Sequence, residues 1–200
     1  MLYYFAWAAG ERSTAFTRKI RVRQSHHPEP YAMAITIEEF GQKCHDFIAA
    51  DPGPASRKHI CDLVQAVLKD PKFVADHVDP SGPERKILYQ DSEFGFVILA
   101  HAYKGAKGSP PHDHGPTWAI YGQATGQTIM TDWEKLTPGD AAHPGTVRKL
   151  RDYTLTPGMA YAYEPGILHS PRRDSDTTLI RIEGLDVSKI TRQPFIAVAA

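Results

Sequence analysis

Residues 108–115 read Gly-Ser-Pro-Pro-His-Asp-His-Gly, and both the fold and the chemistry of the chain depend on how this run is placed. In extended backbone, side chains alternate between two faces, so His112 and His114 point to the same side. One metal ion against that face can take a nitrogen from each. The remaining ligand has to come from a distant part of the chain, and Gly166-Ile167-Leu168-His169 offers it. The histidine pair leaves a Gly/Pro-rich turn and enters a strand, while His169 follows the Pro165-Gly166 turn. That placement lets a closed sheet converge its ligands. Asp113 points the opposite way and is expected to bond backbone or orient the turn. Three neutral imidazoles suit Fe(II), Zn, Ni or Cu.

Outward from this run, the pattern is one of many short strands. After Pro80-Ser81-Gly82-Pro83 the apolar period shifts from 3.6 toward 2. Strands are predicted at Lys86–Gln90, Phe94–Tyr103, Thr117–Gln123, Gly126–Asp132, Lys149–Thr154, Ala160–Tyr163 and Thr177–Glu183. Turn signals separate them: Gly105 to Pro111, Ala124-Thr125-Gly126, Pro138-Gly139-Asp140, Pro144-Gly145, Thr156-Pro157-Gly158 and Pro165-Gly166. Such spacing means a sandwich or a small barrel. There is no internal repeat and no low-complexity stretch.

Before the strands the chain reads as helix. Thr36-Ile37-Glu38-Glu39 is a capping box, followed by Phe40, Cys44, Phe47 and Ile48 at helical spacing. Asp51-Pro52-Gly53-Pro54 ends that helix. A second runs from about Ser56 to before Pro71 on the stripe Ile60, Leu63, Val64, Val67 and Leu68, and a short third covers Lys72 to Val78. These helices are expected to cover one face of a sheet. Residues 1–34 differ in composition: Met1 to Ala9 is aromatic and apolar, and Arg18 to Arg23 is basic. A secretory signal has the reverse order. The segment is read as a disordered or extended leader, with an organellar transit peptide or a working start at Met33 as alternatives. Residues 35–82 then form a helical segment and 83–200 a barrel, together one domain of 35–200.

Bulk figures exclude several classes. Lys plus Arg (23) balances Asp plus Glu (23), so no global field favours nucleic acid or an anionic membrane. No apolar run approaches the roughly 18 residues of a spanning helix. The two cysteines, Cys44 and Cys61, form no C-x-x-C pair and are read as reduced buried thiols, with a cytoplasmic location expected. His26, His27, His45, His59, His77 and His143 are expected to be solvated, and His101 stands ambiguously on the strand before the motif.

Gly108 to His114, Gly126 twelve positions later, and Pro165 to His169 resemble the two metal-binding motifs of the cupin superfamily. Within it, the chain is similar to the cysteine dioxygenase-like group, the thiol dioxygenases. Where many cupins place a carboxylate ligand, Trp118 and Ala119 stand instead, and the stretches Arg85 to Gln90 and Phe96 to Leu99 also resemble the thiol dioxygenases. The resemblance covers roughly 35–186. It implies a mainly β fold, a cupin double-stranded β-helix barrel (jelly roll) with two or three N-terminal helices. It further implies an iron(II) dioxygenase that oxidises a small carboxylated thiol to a sulfinate with O₂. Metal ligands would be His112, His114 and His169, with Zn, Ni or Mn as alternatives to Fe(II) and no organic cofactor. Partners would be the substrate and O₂ alone, with neither nucleic acid nor membrane, in a monomer or homodimer. A β-diketone-cleaving cupin and a non-catalytic metal-binding sensor are the competing readings.

By the same resemblance, Arg85 falls where an arginine grips the substrate carboxylate, which a planar guanidinium matches bidentately. The family's late-strand Ser, His and Tyr are replaced here by Leu179, Arg181 and Glu183, and Ala119 stands where a crosslinking cysteine occurs, so no Cys–Tyr crosslink is expected. Arg181 and Glu183 share a strand face and either form an ion pair or contact substrate. Tyr161 and Tyr163 are candidates for the missing phenol, and Trp118 joins Arg85 and Arg181 on the expected substrate wall.

Overall fold

A computed structural model describes residues 35–198 apart from Ala141; the leader expected over residues 1–34 lies outside them. Helix α1 (Ile37–Ala50) begins with the full capping box. Thr36 Oγ1 accepts from the Glu39 N–H at 3.1 Å, and Glu39 Oε2 accepts from the Thr36 N–H at 2.9 Å. Helix α2 (Pro54–Val67) starts on a proline, whose missing N–H costs nothing in a first turn. The short α3 (Pro71–His77) is capped by Asp70. The predicted boundaries move by one or two residues. No helix among the described residues is long and apolar enough to cross a membrane.

Among the described residues ten strands follow: β1 (Lys86–Gln90), β2 (Val97–Tyr103), β3 (Lys107–Gly108), β4 (Ala119–Thr125), β5 (Thr128–Thr137), β6 (Gly145–Leu155), β7 (Ala160–Tyr163), β8 (His169–Arg173), β9 (Thr177–Glu183) and β10 (Phe195–Ala197). They build two five-stranded sheets, ordered β1-β2-β9-β4-β7 and β10-β6-β5-β8-β3, antiparallel except for β10 beside β6. Side chains of both sheets meet in one core: Ala119, Tyr121, Met130, Leu155, Tyr163 and Leu179. The alternate residues of the first sheet, Ile98, Ile120, Ile180 and Ile182, face outward and are covered by Phe40, Ile60, Val64 and Phe73 of the helices. The period-2 alternation thus separates an inner layer from a helix-covered outer one. The fold is the double-stranded β-helix, mainly β, with three helices ahead of the strands among the described residues.

The approach of α2 to β4 is close. A Cβ on Gly122 would lie 2.4 Å from Val64 Cγ1 and 2.8 Å from Leu68 Cδ1, so only glycine lets the helix lie flat on the sheet. Cys44 and Cys61 are free and buried, and burial pushes the Cys61 thiol up to about 11.

Four strand readings need correction. The His112–His114 run does not enter a strand. β4 begins only at Ala119, because Gly115 turns the chain at φ +62° and the Thr117 N–H bonds back to His114 O. β5 and β6 are longer than predicted, since cross-strand ion pairs such as Arg148–Glu134 and Arg151–Asp132 carry them through charged sequence with no apolar alternation. β8 holds Pro171, which reads as a strand breaker. β3 and β10 are too short to leave a periodic signal.

Candidate metal centre

Local backbone pairing brings the histidines together. His112 forms an isolated antiparallel bridge with His169: each N–H donates to the other's carbonyl, at 3.0 and 2.9 Å. Such a reciprocal pair sets two side chains next to each other on one face. Asp113, between the histidines, accepts from the Gly115 N–H at 3.0 Å and so shapes the turn that carries His114 inward. The ligand-capable atoms of His112, His114 and His169 all lie within 4.8 Å of one another. Ring centroids are 4.7 Å apart for His112 and His169 and 4.8 Å for His114 and His169.

The ring orientations suit a cation. Nδ1 of His112 meets Pro110 O at 2.9 Å and Nδ1 of His169 meets Ile167 O at 3.1 Å, so each N–H is spent on a local carbonyl and each Nε2 is left as an electron-pair donor. His169 Nε2 and His114 Nδ1 are buried with no hydrogen-bond partner. Buried polar atoms are normally satisfied, and a divalent ion at this point would satisfy both. Burial, reinforced by the field of Arg181, holds His114 and His169 well below the ordinary histidine range; burial brings His112 to about 4. All three are neutral at pH 7, the state that ligates metal. The residues fit a divalent ion.

Tyrosines pack around the triad. Tyr163 stacks on His169 with centroids 3.8 Å apart, and its hydroxyl lies 2.5 Å from that of Tyr153. Tyr121 Oη sits 3.2 Å from His114 Nε2. Burial raises the pKa of both Tyr121 and Tyr163, so both remain neutral phenols. Tyr161, by contrast, is more than a third exposed and touches only Tyr153 and Tyr163 among these rings.

A cavity of about 270 Å³ opens beside His112 and Tyr121. Arg173, Arg181 and Arg192 line it, with Lys107 and Glu84 at its edge. Arg181 is buried over the face of Tyr121, 4.6 Å from the ring centroid, with its Nε 3.0 Å from Glu183 Oε1. Glu183 is fully buried and also accepts from the Val187 N–H at 3.0 Å. The sequence pairing of Arg181 with Glu183 on one strand face is what the structure has.

Arg85 and Trp118 stand elsewhere. Arg85 donates to Asp186 Oδ1 at 2.7 Å and lies 3.4 Å from Glu183, so two carboxylates hold its guanidinium, and it does not line the cavity. Trp118 immediately precedes β4 and packs on the helix-covered side, with Arg57 5.9 Å above its ring. Adjacent residues in extended chain point to opposite faces: Ala119 faces the inner core, so Trp118, like Ile120, is turned to the helix side and away from the triad. Sequence reading missed Tyr121, Tyr153, Arg173 and Arg192. Two carried a signal: Tyr121 is two positions beyond Ala119 on an inward face, and Arg173 four beyond His169.

No protein-family model matches the sequence, and no curated protein matches it. Among solved structures, the chain is similar to a cupin superfamily protein from Desulfitobacterium hafniense, at 11% identity over 51% of this chain and 76% of that one, with a TM-score of 0.38. It is also similar to a protein with a double-stranded β-helix domain from Klebsiella pneumoniae (12% identity, 60% of this chain, 93% of that one, TM-score 0.39). A third is oxalate oxidase in complex with glycolate (12% identity, 56% and 57%, TM-score 0.38). These likenesses concern the fold alone.

Proposed function

We propose that this protein is an iron(II)-dependent dioxygenase that adds both atoms of O₂ to the sulfur of a small carboxylated thiol, converting a thiolate into a sulfinate. The observation that carries the reading is the convergence of three neutral imidazoles, His114 and His169 buried and His112 half-buried, beside a wall of guanidinium groups. Three neutral ligands leave the double charge of the ion uncompensated, so an anionic donor such as a thiolate is favoured at the centre. Iron(II), when bound, supplies the redox chemistry that lets ground-state dioxygen react with a closed-shell thiolate.

The chain's own residues do the rest. His112, His114 and His169 hold the ion and leave coordination positions free. Arg181 faces the cavity and takes the substrate carboxylate; Glu183 behind it balances the guanidinium charge and is a positioning residue. Tyr121 keeps its proton on Oη next to His114 and offers a donor at the centre. Tyr163 closes the far side of His169 against water.

Oxygen uptake by iron-loaded protein over a panel of thiols and β-diketones tests this. Uptake with a carboxylated thiol and formation of its sulfinate is expected. Uptake with a diketone alone would replace the reaction, and no uptake with any of them would favour a metal-binding module without turnover.

A further inference from the structure

Arg173 sits on the cavity wall with no carboxylate in ion-pair contact among the described residues. It is 4% exposed, stacks on Tyr103 with its Cζ 4.1 Å from the ring centroid, and has a buried Nε with no hydrogen-bond partner. The acid whose field reaches it is Glu84, and that carboxylate is paired with Lys107. Of the other cations on the wall, Lys107 is paired with Glu84 and Arg181 with Glu183. Arg192, at the mouth, is exposed and has no ion pair among the described residues. Taking a guanidinium out of water without an ionic partner is strongly unfavourable. Burial, with a smaller contribution from the repulsion of Arg181, holds Arg173 below the usual arginine range. Packing explains the position of Arg173 on Tyr103 but not the retention of a second buried cation beside the first. An anion in the cavity removes both costs.

We propose that the substrate of this cavity is a small diacid, with one carboxylate held by Arg181 and the second held between Arg173 and Arg192. The stacking on Tyr103 fixes the guanidinium plane of Arg173, which leaves its fork presented to a carboxylate. At about 270 Å³ the cavity lies just under the usual range of ligand pockets, in keeping with a molecule of few carbons. The inference deepens the dioxygenase reading and rests on it for where the thiol end lies, but not for the grip on the acid groups.

Binding to metal-free protein separates the two. Isothermal calorimetry should find succinate roughly tenfold or more tighter than butyrate, which has the same carbon count and one carboxylate. Arg192→Gln, at an exposed position, and Arg173→Lys, which keeps the charge but loses the fork, should each remove most of that preference and change butyrate binding little. Far-UV circular dichroism confirms that both variants are folded. Equal affinity for the two acids would overturn the proposal, as would equal losses for both acids in the variants, or inorganic phosphate binding more tightly than succinate. Oxygen uptake by iron-loaded protein with mercaptosuccinate and with 3-mercaptopropionate completes the test. A succinate preference with no uptake from either thiol keeps the diacid cavity and overturns the dioxygenase. Equal turnover of both thiols with no succinate preference does the reverse.

Discussion

Arg181 and Arg85 lie on either side of Glu183, and their surroundings separate two roles that the sequence leaves merged. Arg181 is buried, faces the cavity and has one acid behind it; Arg85 is about a third exposed and shared between Asp186 and Glu183. Arg181→Lys should therefore raise KM for a carboxylated substrate with metal content retained, since lysine keeps the charge and loses the fork. Losing one charge-assisted contact is worth on the order of 1.5–3 kcal/mol, about ten- to a hundredfold in kcat/KM. Arg85→Lys should leave KM within about twofold, because lysine can still meet Asp186 from a part-exposed site. Steady-state kinetics on both variants decides; the opposite pattern returns the grip to Arg85. At this scale the ligands were legible, because His112 and His114 differ by two residues and His169 follows a Pro-Gly turn. The wall was not. Arg173 and Tyr121 reach the cavity only through the pairing of β8 and β4 with strands distant in sequence, and no local pattern records that.

Among the elements, the contact of α2 with β4 is the tightest joint, and Gly122 makes it. A methyl group there meets Val64 Cγ1 at 2.4 Å and Ile180 O at 3.3 Å, and neither the buried valine nor the central strand can yield far. Gly122→Ala should destabilise by roughly 1–3 kcal/mol, the usual range for an overpacked core. In a chain of this size that lowers Tm by roughly 3–10 °C, measurable by thermal circular dichroism. An unchanged Tm would mean that the helix layer is more loosely seated than described. Helices were legible to within one or two residues, since a capping box and N1 prolines mark their starts. Inner strands were legible by alternation. The extensions of β5 and β6 were hidden because their pairing is carried by charged side chains, and β8 was hidden by its proline.

For the whole molecule, the central claim is that two sheets close so as to bring three histidines from two distant segments onto one ion. The bridge between His112 and His169 makes the centre a joint in the fold as well as a site. The direct measurement is elemental analysis of protein purified without chelator, alongside His112→Ala and His169→Ala, each checked for folding by circular dichroism. The parent should carry about one divalent ion per chain, and each variant should lose most of it, since removing even an outer partner of a metal ligand typically costs about 10–100-fold in affinity. Equal metal content in the three folded proteins would contradict the account.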